Sequence, residues 1–405
     1  MSDLSRREAL DRLIQTNPAA ALTAARTWVR EDPPDKAEAY AGVARAMFEL
    51  GRIEGAAKAI RHALDLAAER GDRDGRLRIA MSAAAILAEA GDVEGALHEL
   101  DRMADEHDGG LRGRLLTQRA YVLHHAGRLN EALAALDVSE RLFRGDGEDR
   151  DRLRVHQNRG LVLLQQGRLG EAESEFELAA SIAESLALTA AQAQCVANLA
   201  VLHGRARRLT ESLRGFERAG ELFEQAGNPA RTVAHAEIDR AEVMMHSGLL
   251  LDAVESALAA VDLVEPSGNL MLIGDAQLMV ARALLAANRV KPALAAAERA
   301  AATFTESGRT DMLAHASAVR VSARLNSARN DEDCTIALRE AASLVSELRA
   351  RGWQAGADEL VIERVRAGFR FGQLDEVRHD LDRLRLGTLE GQRQNALPGW
   401  YADCL

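Results

Sequence analysis

The chain has 405 residues, 47% hydrophobic but only 3% aromatic, with 51 basic against 62 acidic residues and a formal net charge of −11. That balance argues against a nucleic-acid backbone as the main partner, and seven prolines are too few for a sandwich or barrel with many turns. Without aromatic bulk, alanine and leucine must fill the interior, which suits closely packed helices.

Met1–Leu10 is charged and lacks the apolar stretch of a signal peptide, and no apolar run approaches the roughly 20 residues that span a bilayer. Cys195, Cys334 and Cys404 lie far apart, with no zinc-ligand spacing. The expectation is a cytoplasmic protein with no cofactor and no membrane partner. Lysine stands only at 36, 58 and 291; arginine and alanine dominate, the codon bias of a high-GC bacterial genome.

In chain order, Leu4–Arg30 reads as a helix pair broken at Asn17-Pro18 and stopped at Pro33-Pro34, so residues 1–34 are expected to cap the helices beyond them. From there one phrase recurs: a turn residue, often arginine, an aliphatic, two variable positions, then a small residue. It reads Gly51-Arg52-Ile53 to Ala56, Gly91-Asp92-Val93 to Ala96, Gly127-Arg128-Leu129 to Ala132 and Gly167-Arg168-Leu169 to Ala172. Looser copies run Arg207-Arg208-Leu209 to Ser212, Gly248-Leu249-Leu250 to Ala253, Asn288-Arg289-Val290 to Ala293 and Gly372-Gln373-Leu374 to Val377, with a degraded one near Asn330. The steps from 51 to 288 are 40, 36, 40, 40, 41 and 40 residues.

Each phrase is the end of one helix at a residue that tolerates the left-handed conformation, followed at once by a second helix. Seven residues before the turn stands a small residue: Ala44, Ala84, Ala120, Gly160, Ala200, Ala241 and Ala281. The small residue of the phrase faces it, so the two helices of a hairpin approach closely. A single hairpin cannot bury its own apolar face, so stability comes from stacking.

These residues resemble the tetratricopeptide repeat, in which paired small residues frame the helix contact and a large apolar residue follows. The match is good in Gly160, Ala172, Phe176 and Ala179 and in Ala200, Ser212, Phe216 and Ala219. The period of about 40 departs from the family's common 34, and the family's usual proline near the end of the unit is missing. The resemblance implies an all-α, right-handed superhelical solenoid of TPR-like hairpins: an array of about nine repeats over 35–388, with the start of a further helix at 389–405.

Counting the turn glycine as position fifteen, first-helix residues at positions two, six, nine and thirteen share one face. In tetratricopeptide arrays that face lines the concave groove. Here it reads Arg114, Gln118, Tyr121 and His125 in the third copy, and Arg154, Asn158, Leu161 and Gln165 in the fourth, with Gln157 beside them. The fifth gives Gln194, Asn198, Val201 and Arg205; the sixth His235, Asp239, Glu242 and His246. Asn158 and Asn198, one repeat apart, are expected to hydrogen-bond the backbone of an extended protein or peptide segment, and the arginines to hold acidic groups. The plain alternative is the wet face that any surface helix shows.

His235, Asp239, Glu242 and His246 extend along about 16 Å of helix, so they cannot all meet one metal ion. A two-ligand site from Glu242 and His246 is the metal reading that remains. Arg205, Arg207 and Arg208 form a basic cluster that reads either as an anion contact or as a solvated helix end. No phosphate-binding loop, zinc-protease pair or serine elbow occurs, so no catalytic activity is expected, and Cys195 reads as an interior packing residue.

Three phrases, Asn158-Arg159-Gly160-Leu161, Ile238-Asp239-Arg240-Ala241-Glu242-Val243-Met244 and Arg351-Gly352-Trp353, resemble those in the amino-terminal half of actinobacterial CHAT-domain proteins. There, tetratricopeptide repeats precede a caspase- and separase-like cysteine protease. The uncapped run Leu397-Pro398-Gly399-Trp400-Tyr401 reads as the start of a truncated helix. The resemblance implies a regulatory or substrate-recruiting module whose protease, a further possible partner, follows this chain. The alternative is a free-standing adaptor or the sensor arm of a transcription regulator.

Overall fold

The computed structural model describes residues 3–143, 145, 148–227, 230–351 and 353–381. The segment expected to begin a further helix, 389–405, lies outside the described residues, as do Gly352 and Cys404. Among the described residues the chain is all helical, without strands. Contacts group it into two compact units, 1–279 with 306–309, and 280–305 with 310–405.

The first unit opens with α1 (Asp3–Thr16) and α2 (Pro18–Arg30), divided where the Asn17 side chain accepts from the Ala20 N–H at 3.0 Å. Hairpins follow: α3 (Lys36–Glu49) with α4 (Ile53–Arg70), α5 (Arg73–Glu89) with α6 (Val93–Asp105), and α7 (Gly109–His125) with α8 (Leu129–Leu142). Then come α9 (Asp149–Gln165) with α10 (Leu169–Ser185), α11 (Thr189–Arg205) with α12 (Leu209–Gln225), and α13 (Ala230–His246) with α14 (Leu250–Val264), before α15 (Leu270–Ala286), whose residues from 280 on group with the second unit, as do those of α16 (Val290–Ser307) up to 305. The second unit goes on through α17 (Thr310–Ser327), α18 (Asp331–Ala350) and α19 (Gln354–Arg370).

The period has a simple cause. Helices α9, α10, α11 and α12 are each 17 residues long, and three-residue turns separate them, so each hairpin takes 40 residues. Every turn of the recurring phrase closes alike: the N–H of the left-handed residue bonds three residues back, and the next N–H five back. Gly51 to Phe48 and Arg52 to Met47 set the pattern. Gly167 to Leu164 and Arg168 to Leu163 repeat it, as does every other copy through Gly372 and Gln373. Two copies hold the conformation without glycine, Arg207 at φ 61° and Asn288 at φ 56°. The degraded copy uses another device: Asn330 has an extended backbone, and its side chain accepts from the Asp333 N–H at 2.8 Å.

The matched small residues are where the helices meet. Ala44, Ala84, Ala120, Ala200, Ala241 and Ala281 are buried, and so are Ala56, Ala96, Ala132, Ala172, Ser212, Ala253 and Ala293. Gly160 is the extreme case, because a Cβ there would stand 2.5 Å from the buried Phe176 ring. Ser212 sits where other copies have alanine, and its hydroxyl donates to the Ala200 carbonyl at 2.7 Å, so its polarity is satisfied in place.

Candidate functional site

The first helices of the third and fourth copies place their inner positions around one cavity of about 320 Å³ in the first unit. Arg114, Gln118 and Tyr121 of α7 line it with Arg154, Gln157 and Asn158 of α9, so the structure brings these six expected residues together. Met81, Thr117 and Asp151 complete the wall. Asp151 precedes Arg154 by one helical turn and so escapes the periodic stripe. It is buried, and Arg114 donates to its Oδ2 from Nε at 2.9 Å and from Nη2 at 2.8 Å. Arg114 is thus fixed in position but already paired, whereas Arg154 is exposed and has no ion-pair partner within 4 Å among the described residues.

The cavity therefore carries one surplus positive charge beside the half-buried Asn158 amide. Tyr121 is 37% exposed, and its ring packs against that of His125 with centroids 4.3 Å apart and the planes tilted by 55°. Loss of solvent around the phenol raises its pKa; nearby Glu89 pushes the same way, and Arg231 opposes. The same desolvation holds His125 below its ordinary value. Gln157 turns partly inward, its Nε2 lying 3.2 Å from the Cys195 sulfur. Cys195 is fully buried, and burial pushes its thiol up to about 11, which leaves almost no thiolate at neutral pH.

The other expected residues do not line this cavity. Asn198 is only 7% exposed and takes a bond from Gln194 at 3.4 Å, so less of its amide is within a partner's reach than of Asn158's. Gln165 lies at the far end of α9, and Arg205 ends α11, where its charge lowers the Asp239 pKa. On α13, solvent exclusion within the groove, reinforced by Glu242, drives the Asp239 carboxyl up to about 7, Arg205 opposing. His235 is held low by desolvation and then by Arg231. His246 turns back, its Nδ1 lying 2.8 Å from the Glu242 carbonyl. Among the described residues no three histidine, cysteine or acidic side chains are placed to share a metal ion.

The basic cluster separates into different tasks. Arg208 holds Glu173 at 2.8 Å, and Arg207 occupies a left-handed turn. Three inner residues of the first two copies went unread in sequence although the same register reaches them: Glu38 and Arg45 on α3, and Arg78 on α5. With Arg7, Asp11 and Ser82 they line a second cavity of about 210 Å³. Arg45 reaches Asp11 at 2.5 Å and Glu38 at 3.4 Å. Position two thus carries arginine in three successive copies, Arg78, Arg114 and Arg154.

The tetratricopeptide-repeat family model matches residues 153–186, most of the α9–α10 hairpin. No curated protein sequence matches the chain. Among solved structures, the chain is similar to a Rap protein complexed with Competence and Sporulation Factor, at 13% identity over 89% of this chain and 100% of that one, with a TM-score of 0.59. It is also similar to the apo form of the quorum sensor NprR from B. thuringiensis, at 13% identity over 84% and 96%, TM-score 0.56. A third likeness is to a signal transduction ATPase with numerous domains that carries a tetratricopeptide repeat sensor, from Pyrococcus horikoshii. It has 13% identity, covers 97% of this chain and 54% of that one, and has a TM-score of 0.51. At such identities the likeness is one of fold: an all-helical, tetratricopeptide-like solenoid. No helix among the described residues is long and apolar enough to cross a membrane.

Proposed function

We propose that the inner face of the first unit captures an extended, acidic segment of a protein partner in the cavity between α7 and α9. The observation that carries this reading is the pairing of an uncommitted guanidinium, Arg154, with the Asn158 amide on one cavity wall, while Asp151 holds Arg114 rigidly opposite. The amide offers a donor and an acceptor to a peptide backbone, and the guanidinium takes a carboxylate. Gln118 and Gln157 extend the same chemistry along the wall. The farther residues of the stripe, Gln194, Asn198, Arg205, His235, Asp239, Glu242 and His246, with Gln165 and His125 between, would hold the rest of a longer segment.

What the captured segment serves admits two readings. Likeness in fold to a quorum sensor and to a repeat sensor favours a sensor or adaptor role. The three short phrases favour the recruiting half of a CHAT protease. A histidine-cysteine protease domain encoded beyond codon 405 would decide for the second. The capture itself is tested by panning random unstructured peptides against the full chain. Selected peptides should be rich in acidic residues and should lose about tenfold in affinity or more on Asn158→Ala or Arg154→Ala, one to two hydrogen bonds' worth. Equal binding to the variants and the native chain would refute the site.

A further inference from the structure

The first unit also makes contacts between its early and late repeats that stacking of neighbours does not require. Glu49 ends α3, and both its carboxylate oxygens accept from Nη1 of Arg231, at the start of α13, at 2.8 Å. The same carboxylate accepts from the side-chain amide of Asn269 at 3.3 Å. Asn269 in turn caps α15, its Oδ1 taking the N–H groups of Met271 and Leu272 at 3.1 and 3.2 Å. One repeat on, Arg309 lies 3.2 Å from Glu89 at the end of α5 and 2.8 Å from Asp275 on α15. Between the two polar contacts the Gly51 turn lies against α15: a Cβ added to Gly51 would stand 2.9 Å from the Leu270 Cβ, 3.1 Å from the Met271 nitrogen and 3.3 Å from the Ser307 Cβ.

We infer that these contacts form a latch which closes the groove of the first unit around its occupant. The inference rests on the proposed capture of a segment in that groove and narrows it: the occupant is a strand of unfolded chain, admitted when the latch opens, and a folded domain is excluded. Three features support this. Glu49 and Glu89 both stand at position thirteen, on the groove-lining face, so the seam is built from the lining itself. Tyr121 of the main cavity feels Glu89 and Arg231 together, which places the seam beside the binding wall. The Glu49–Arg231 pair leaves its arginine half exposed and so stabilises little, while successive hairpins meet through buried apolar clusters. The seam is accordingly the weak junction of the unit and the one that opens first.

The test compares Gly51→Ala with Gly91→Ala. Both glycines adopt the left-handed conformation, at φ 70° and 82°, so both variants carry the same turn strain, but nothing lies within 4 Å of a Cβ at Gly91. Hydrogen exchange of the first turn of α15 should quicken about tenfold or more in Gly51→Ala and stay native in Gly91→Ala. Glu49→Arg should have the same effect as Gly51→Ala, and adding Arg231→Glu should restore protection. Small-angle scattering should show the radius of gyration rising toward 1 M salt, where screening reaches about 3 Å. Equal exchange in the two glycine variants, or no rescue by the charge swap, would overturn the latch. None of these measurements uses a bound partner, so the latch can fail while peptide capture stands. Peptide binding equal in Asn158→Ala and the native chain, with the latch signals intact, would refute the groove reading alone.

Discussion

Gly160→Ala isolates the packing principle on which the repeat rests. The added methyl would stand 2.5, 2.7 and 2.9 Å from three carbons of the Phe176 ring, against about 3.5–4.0 Å for ordinary carbon contacts. Either the ring or helix α9 must therefore yield by about 1 Å. The ring is fully buried and packed among Leu163, Leu164, Ala172 and Leu202, so it has no empty space to enter. Overpacking of this kind costs about 1–3 kcal/mol, offset by up to about 1 kcal/mol from alanine's better helix propensity. The same substitution at Gly220, exposed in mid-α12 with nothing within 4 Å of a new Cβ, keeps only the gain. Urea unfolding followed by helical circular dichroism should place Gly160→Ala below the native chain and Gly220→Ala above it. Because repeat arrays need not unfold in one step, the comparison is between midpoints. A Gly160→Ala midpoint at or above the native value would refute the reasoning.

Arg207→Gly should raise the unfolding midpoint, since a left-handed arginine costs about 1–2 kcal/mol that glycine avoids; thermal scans beside Gly167→Ala, expected to move the opposite way, check it. Arg159 is buried and joins Glu140 at 2.6 Å, Asp137 at 3.2 Å and Glu175 at 3.4 Å. Arg159→Ala should cost about 1–3 kcal/mol in urea titrations, less than a fully buried pair because Glu140 and Asp137 stay partly wet. Asp239 has a carboxyl pKa raised to about 7, so its contribution to stability is complete below about pH 4 and is lost as pH rises through 7. Asp239→Asn should therefore unfold later than the native chain at pH 8 and nearly with it at pH 4. Screening in the open groove should reduce the difference to about 1–2 kcal/mol.

The hairpin architecture was legible because its determinants are local. A left-handed residue, a helix start and a matched small residue recur within a dozen positions, and each of them shows in the letters Gly51 to Ala56. The degraded copy was harder to read because Asn330 caps by its side chain instead of by a left-handed turn. Five stripe residues, with Gln157 beside them, meet in the α7–α9 cavity because the inner positions of consecutive first helices face one another. Asp151 escaped notice because it lies off the stripe and acts through Arg114. The Glu49–Arg231 contact spans 182 residues, and no local pattern encodes which distant turns will meet. Asn198 illustrates the remaining difficulty: register assigns it to the inner face, but its exposure depends on how closely the neighbouring helices crowd it.

The double-bonded turns bear on how such a chain changes length. Each turn satisfies its carbonyls within six residues, so a junction such as Arg168 is chemically equivalent to Arg208, one 40-residue module later. Recombination between two such junctions would delete or duplicate a whole hairpin without leaving a backbone group unbonded. Gene copies of this kind could gain or shed modules while each remaining hairpin folds as before. Selection would then act on what the exchange really alters, the order of side chains presented along the inner wall.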